Sequence, residues 1–175
     1  MQKIVESKKN SEERKWYIIC TKPRKEMVVY QEITHRGFEA KLIQKMNTVR
    51  TQKGYRKVLK PLISGYVFIH ILENEIALNQ YVVGVTKFLK WNNKYEYLSE
   101  EDIQLLEKLC DHDYEVTICD NLTVGTKIEI TEGVLKGVQG KIQPNINSSF
   151  IYLESVLQSV NIVIKKENLK YNIIE

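Results

Sequence analysis

No run of about eighteen consecutive apolar residues occurs in this 175-residue chain, so no helix spanning a bilayer is expected. Residues 1–15 are charged and polar with no apolar core, and they read as a frayed tail rather than a secretory signal. Glycine (8) and proline (3) are too scarce for a low-complexity or collagen-like chain. Cysteine is scarce as well. Cys20, Cys110 and Cys119 are odd in number and form no C-x-x-C pair, which argues against a disulfide framework or a zinc ribbon. The expectation is a soluble, reduced, monomeric protein of the cytoplasm.

Signatures of catalysis are equally thin. His35, His70 and His112 lie far apart, and none stands at metal-ligand spacing from another His or Cys. No G-x-S-x-G elbow occurs. The glycines at 133, 137 and 140, followed by Lys141, have the wrong spacing for a phosphate loop, and Ile142 stands where Ser or Thr is needed. Glu100, Glu101 and Asp102 fall in the first turn of an expected helix, where carboxylates complement free amides. Neither an enzyme nor a bound metal or cofactor is expected.

What the chain does have is an uneven charge. The net charge is +4, yet residues 1–72 carry sixteen Lys/Arg against six Asp/Glu, a charge of +10. Residues 73–110 and 111–175 each sum to −3. Such a bias fits a surface that meets nucleic acid, although a solvated face that only confers solubility would read the same way.

Periodicity divides the chain. Trp16 to Cys20 reads as a buried strand, Thr21-Lys22-Pro23 ends it, and a helix follows from Arg24 with Met27, Val29, Tyr30 and Ile33 on its apolar face. His35-Arg36-Gly37 closes that helix. Phe38 to Ile43 predicts a second strand, and Thr48 to Arg56 a hairpin tip or mobile loop. Tyr66 to Ile71 predicts a central strand, Ile76 to Tyr81 a short helix, and Gly84 to Lys90 a further strand. Ser99 to Asp102 is a capping-box pattern opening a helix with Ile103, Leu106 and Leu109 on one face. This order predicts an α+β fold, an antiparallel sheet with flanking helices. Beyond an acidic stretch the texture becomes all-β, as in Lys127 to Ile130 and Val160 to Ile164, which suits a small barrel. The predicted organisation is a flexible tail over 1–13, an α+β domain over 14–110, a linker over 111–121 and an all-β domain over 122–175.

A binding constellation emerges from this layout. Lys22, Arg24 and Lys25 meet at a strand-to-helix junction, where helix amides add to the attraction for phosphate. Arg50, Lys53, Arg56, Lys57 and Lys60 precede Leu62. Tyr66 and Phe68 share one strand face. That face fits single-stranded nucleic acid by stacking, an apolar helix of a protein partner, or plain core packing.

The runs Trp16 to Arg24, Arg36 to Ala40, Pro61 to Phe68 and Gly84 to Phe88 resemble the N-terminal (NGN) domain of the NusG family. Val124-Gly125, Ile128 to Ile130 and Glu132 to Lys141 resemble its C-terminal KOW, SH3-like barrel. The likeness spans residues 14 to 172 in the family's domain order. Thr21-Lys22-Pro23-Arg24 and Leu157-Gln158-Ser159-Val160 look most like the UpxY branch, antiterminators encoded with capsular or exopolysaccharide operons. The resemblance implies a non-enzymatic elongation or antitermination factor. Its first domain would bind the clamp helices of bacterial RNA polymerase and suppress pausing, through an apolar depression matched here by Tyr66, Phe68, Leu62 and Cys20. Lys22 and Arg24, with neighbouring Lys25, would face DNA or nascent RNA. Leu135, with Lys136 beside it, would serve a partner such as a ribosomal protein or Rho. Ile63-Ser64 stands where the family usually has Phe-Pro, which predicts an altered turn before Tyr66. The β-branched barrel predicts no helical alternative state. A ribosome-associated or RNA-binding module is the competing expectation.

Overall fold

The computed structural model describes residues 13–110, 116–119, 125–133, 135–142, 150–157, 160–165 and 169–174. The aromatic and β-branched run Lys15–Thr21 forms β1, the central strand of the first sheet. It is followed by α1 (Glu26–His35), β2 (Glu39–Lys41), β3 (Gln44–Thr51), β4 (Gly54–Pro61) and β5 (Tyr66–Ile71). A single turn of 3-10 helix over Glu73–Glu75 leads into α2 (Ile76–Asn79) and β6 (Val85–Phe88). Three short strands, β7 (Lys90–Trp91), β8 (Lys94–Tyr95) and β9 (Tyr97–Leu98), precede α3 (Glu100–Cys110). The sheet order is β2-β5-β1-β6, with β9 also pairing to β1, and every pairing is antiparallel.

Strand alternation gives this sheet two buried faces. Tyr17 and Ile19 of β1 join Val67, Ile69 and Ile71 of β5 beneath Val29 and Ile33 of α1. Trp16 and Ile18 join Phe68 on the opposite face, with Ile103, Leu106 and Leu109 of α3 in the same cluster. The α3 face is the one expected, and its capping box is formed. The Asp102 amide donates to Ser99 Oγ at 3.2 Å, and the Ser99 amide donates to Asp102 Oδ2 at 3.0 Å.

Several boundaries differ from expectation. α1 begins at Glu26, because Lys22 to Lys25 close a turn of their own through Lys25 N–H donating to Lys22 O at 3.0 Å. Met27 is exposed rather than buried; the buried face of α1 runs through Glu26, Val29 and Ile33. The second strand spans only three residues. Of the two expectations for the polar stretch around Gly54, the hairpin tip is the one found: it ends a regular β3–β4 hairpin paired from Gln44↔Pro61 to Thr51↔Gly54.

The C-terminal part contains β10 (Val116–Cys119), β11 (Thr126–Ile130), β12 (Gln139–Ile142), β13 (Phe150–Leu157), β14 (Val160–Lys165) and β15 (Tyr171–Ile173). They form an antiparallel sheet in the order β10-β14-β13-β12-β11-β15. The stretch expected to be a linker therefore holds a strand, because the β-branched run Val116-Thr117-Ile118 pairs with β14. Ile128 and Ile130 are fully buried, as their alternation predicts. Residues 1–12 of the expected tail, 111–115 of the linker, and Gln158-Ser159 of the expected branch motif lie outside the described residues. Among the described residues, no helix is long and apolar enough to cross a membrane.

Candidate functional site

The basic junction is a tight turn. Pro23 occupies its second position with a fixed φ, and Arg24 its third with φ at 62°. A third residue with positive φ is the mark of a type II turn, where glycine is favoured. Here the position is held by an exposed arginine, so the backbone is strained where the charge is displayed. Lys22, Arg24 and Lys25 are all exposed.

Two contacts fix this turn against the sheet. Lys22 N–H donates to Gly84 O at 2.8 Å. Gly84, with φ at 98°, lies so close to α1 that an added Cβ would stand 2.9 Å from Val29 Cγ2 and 3.1 Å from Lys25 Cβ. Only glycine fits this approach. The expected help from helix amides is tempered by Glu26, whose carboxylate occupies the first turn of α1.

Glu26 is itself a positioning group that the sequence did not reveal. Its side chain is buried, and Oε1 accepts the Gly65 N–H at 2.8 Å. The other side of the same residue is held by Thr21 N–H donating to Gly65 O at 2.8 Å. Gly65 has φ at 86°, the conformation that lets the Ser64-Gly65 bend turn directly into β5. Pinned on both sides, the bend places Tyr66 opposite Cys20 in the β1–β5 register. No local pattern marks Glu26, since its partner lies 39 residues away.

From this anchor the register sets out one sheet face. Cys20, Ile18 and Trp16 of β1 pair with Tyr66, Phe68 and His70 of β5. The four residues expected to line an apolar depression do gather here: Phe68 and Leu62 belong to one cluster, and Tyr66 and Cys20 pack against it. Leu62 is fixed by its N–H donating to Ile43 O at 2.8 Å. Burial pushes the Cys20 thiol above its usual pKa, with the Lys87 charge opposing the shift. At the far end of the face the Trp16 and His70 rings stack at 4.8 Å. Trp16 Nε1–H donates to Glu100 Oε2 at 2.7 Å, tying α3 to the strand.

This face is closed. Phe68 is 3% and Leu62 8% exposed, and their cluster also contains Ile128, Ile130, Leu135 and Leu169 from the C-terminal part. Leu135 lies in the turn between β11 and β12, as a loop-tip residue should, but it is fully buried instead of presented to solvent. It belongs to that shared cluster. Lys136 beside it is exposed. No group of His, Cys, Asp or Glu able to hold a metal ion occurs among the described residues.

A family model described as "Transcription termination factor nusG" matches residues 14–107, more than half of the chain and all of the first sheet with most of α3. Among solved structures, one titled for domain interaction in Thermotoga maritima NusG is 18% identical. It covers 90% of this chain and 97% of its own, with a TM-score of 0.47. A chain of an MjSpt4:Spt5 complex in conformation A is 14% identical, covering 91% and 99% with a TM-score of 0.32. Its conformation B is 16% identical, covering 91% and 98% with a TM-score of 0.30. No curated protein sequence matches the chain.

Proposed function

We propose, from the premise that this chain belongs to the NusG family of transcription factors, that it is an elongation and antitermination factor that docks on the clamp helices of bacterial RNA polymerase. Members of the family are transcription factors rather than enzymes. The observation that carries the reading is the adjacency of two surfaces at one end of the first sheet. The apolar face bearing Cys20, Tyr66 and Phe68 meets the exposed turn of Lys22, Arg24 and Lys25 through the Thr21–Gly65 hydrogen bond. Apolar contact would supply affinity for a polymerase helix, and the cations would hold DNA or nascent RNA by salt-dependent attraction. Pausing is then suppressed by differential binding, because a factor that prefers the closed, elongating clamp shifts the population toward it.

Docking through this face requires the cluster to open. Residues of the cluster that hold Phe68 and Leu62 buried, drawn from α3 and from the C-terminal part, must give way before a polymerase helix can take their place. The same motion would free Leu135, with Lys136, for a partner of the C-terminal unit, which we read as a KOW barrel serving a ribosomal protein or Rho. The Thr21-Lys22-Pro23-Arg24 turn supports placement in the UpxY branch and a role at a capsular or exopolysaccharide operon in the cytoplasm. Single-round transcription by purified bacterial polymerase tests the reading. The full chain should shorten pause dwell times and Tyr66→Ala should not; unchanged dwell times with the folded wild-type chain would reject it.

A further inference from the structure

The β3–β4 hairpin carries cations alone, and the polymerase reading leaves it unused. Over residues 44–61 it holds Lys45, Arg50, Lys53, Arg56, Lys57 and Lys60 with no carboxylate. Among the described residues, none of Arg50, Lys53, Arg56, Lys57 and Lys60 makes an ion pair. All five are exposed. The register sorts them onto both faces of the ribbon. Lys57 and Arg50 lie on one face with Met46, Leu59 and Tyr55; Arg56 and Lys60 lie on the other. Met46, Leu59 and Tyr55 are 52%, 57% and 78% exposed, so the first face is uncovered along its length.

We infer that this hairpin is a duplex-DNA-binding arm, separate from the Lys22–Lys25 turn. Two paired strands of eight residues make a ribbon about 26 Å long at ~3.3 Å per residue. The major groove of B-DNA, about 12 Å wide, admits a two-stranded ribbon, whereas the deep, narrow major groove of A-form RNA excludes side chains. Cations on both faces suit a groove with a phosphate row on each side. A docking face for protein would concentrate its character on one side, and protein interfaces are depleted in lysine, of which this ribbon has four. Tyr55 opposite Arg50, and Met46 and Leu59 beside Lys57 on the same face, fit contact with thymine methyl groups and sugar. The arm would bind DNA whether or not the first sheet docks on polymerase.

Fluorescence anisotropy with the full chain and a labelled 30-base-pair DNA duplex, from 50 to 200 mM salt, tests it. The probe variant carries Arg50→Gln, Lys53→Gln, Arg56→Gln, Lys57→Gln and Lys60→Gln. All five side chains are exposed, so its melting temperature should stay at the wild-type value. Each phosphate no longer neutralised by the protein takes about 0.9 from the slope of log affinity against log salt, so the slope should become shallower by about three or more. Replacing Arg50 and Arg56 by Lys instead should restore it. Substituting Lys22, Arg24 and Lys25 by Gln should leave the hairpin's share in place. A folded five-fold variant with the wild-type slope would overturn the arm. Equal or tighter binding of single-stranded RNA or an RNA duplex of that length, abolished in the same variant, would overturn the assignment to DNA.

Discussion

Arg24 adopts a backbone conformation that costs a side-chain-bearing residue about 1–2 kcal/mol, and it does so in an exposed turn where no packing demands arginine. Charge is the one property glycine would lack there. Arg24→Gly should therefore keep or raise stability by up to about 1 kcal/mol, glycine's unfolded-state entropy offsetting part of the relief, while weakening affinity for nucleic acid. Thermal melts and anisotropy on the same sample check both halves, and a drop in stability would contradict the strain account. Glu26 behaves oppositely. Glu26→Ala leaves the part-buried Gly65 N–H without its acceptor and should cost about 1–2 kcal/mol, whereas Glu26→Gln keeps an acceptor oxygen and most of the stability. Tyr17 supplies a pH test. Burial, then the charges of Glu73 and Tyr97, push its pKa up from 10.0 to about 12. Because the folded state holds the proton more tightly than the unfolded one, this contribution is complete below pH 10 and is lost as pH rises toward 12. Chemical denaturation should show stability falling by about 2–3 kcal/mol more across that window in the wild type than in Tyr17→Phe, at about 1.4 kcal/mol per pH unit.

Elements that bury one or both faces were legible from their apolar residues, and those that bury none were legible only at their turns. β5 and α3 lie where their apolar spacing puts them, and the Ser99 cap forms as its pattern predicts. Ser99→Ala should lower stability by about 1 kcal/mol, read by denaturant midpoint. The β3–β4 hairpin alternates cations and apolar residues on a ribbon with no buried face along most of its length, so period two leaves no hydropathy trace and only its glycine shows. β7, β8 and β9 are two residues each, too short for any pattern. β10 was hidden by the acids that surround a four-residue β-branched run. The candidate site followed the same division. Tyr66 and Phe68 were legible as alternating residues of one strand, and Leu62 and Cys20 through the family resemblance, but the Glu26 clamp and the close approach of Gly84 depend on neighbours far along the chain.

At the scale of the whole molecule, the residues proposed to meet polymerase and the residue proposed to meet a second partner belong to one apolar cluster, in which Leu62, Phe68 and Leu135 are all buried. Sequence carries no trace of this, because the cluster gathers residues from Trp16 to Leu169. Leu135→Asp places a charge in that cluster and should open it. The half-buried Cys20 thiol, which packs against the same residues, should then be alkylated faster at pH 8 while the melting of the first sheet is retained. Phe68→Ala would be a poor probe of docking, since emptying a buried phenylalanine site costs about 3–5 kcal/mol and threatens the fold. Tyr66 is only half-buried and can be truncated with less damage. The most direct measurement is thus the affinity of purified bacterial RNA polymerase for the full chain and for Tyr66→Ala, with melting curves taken alongside. Saturable binding by the wild type, weakened at least tenfold in a variant that still melts cooperatively, is the predicted result. Equal affinity of the two folded proteins would contradict docking through this face.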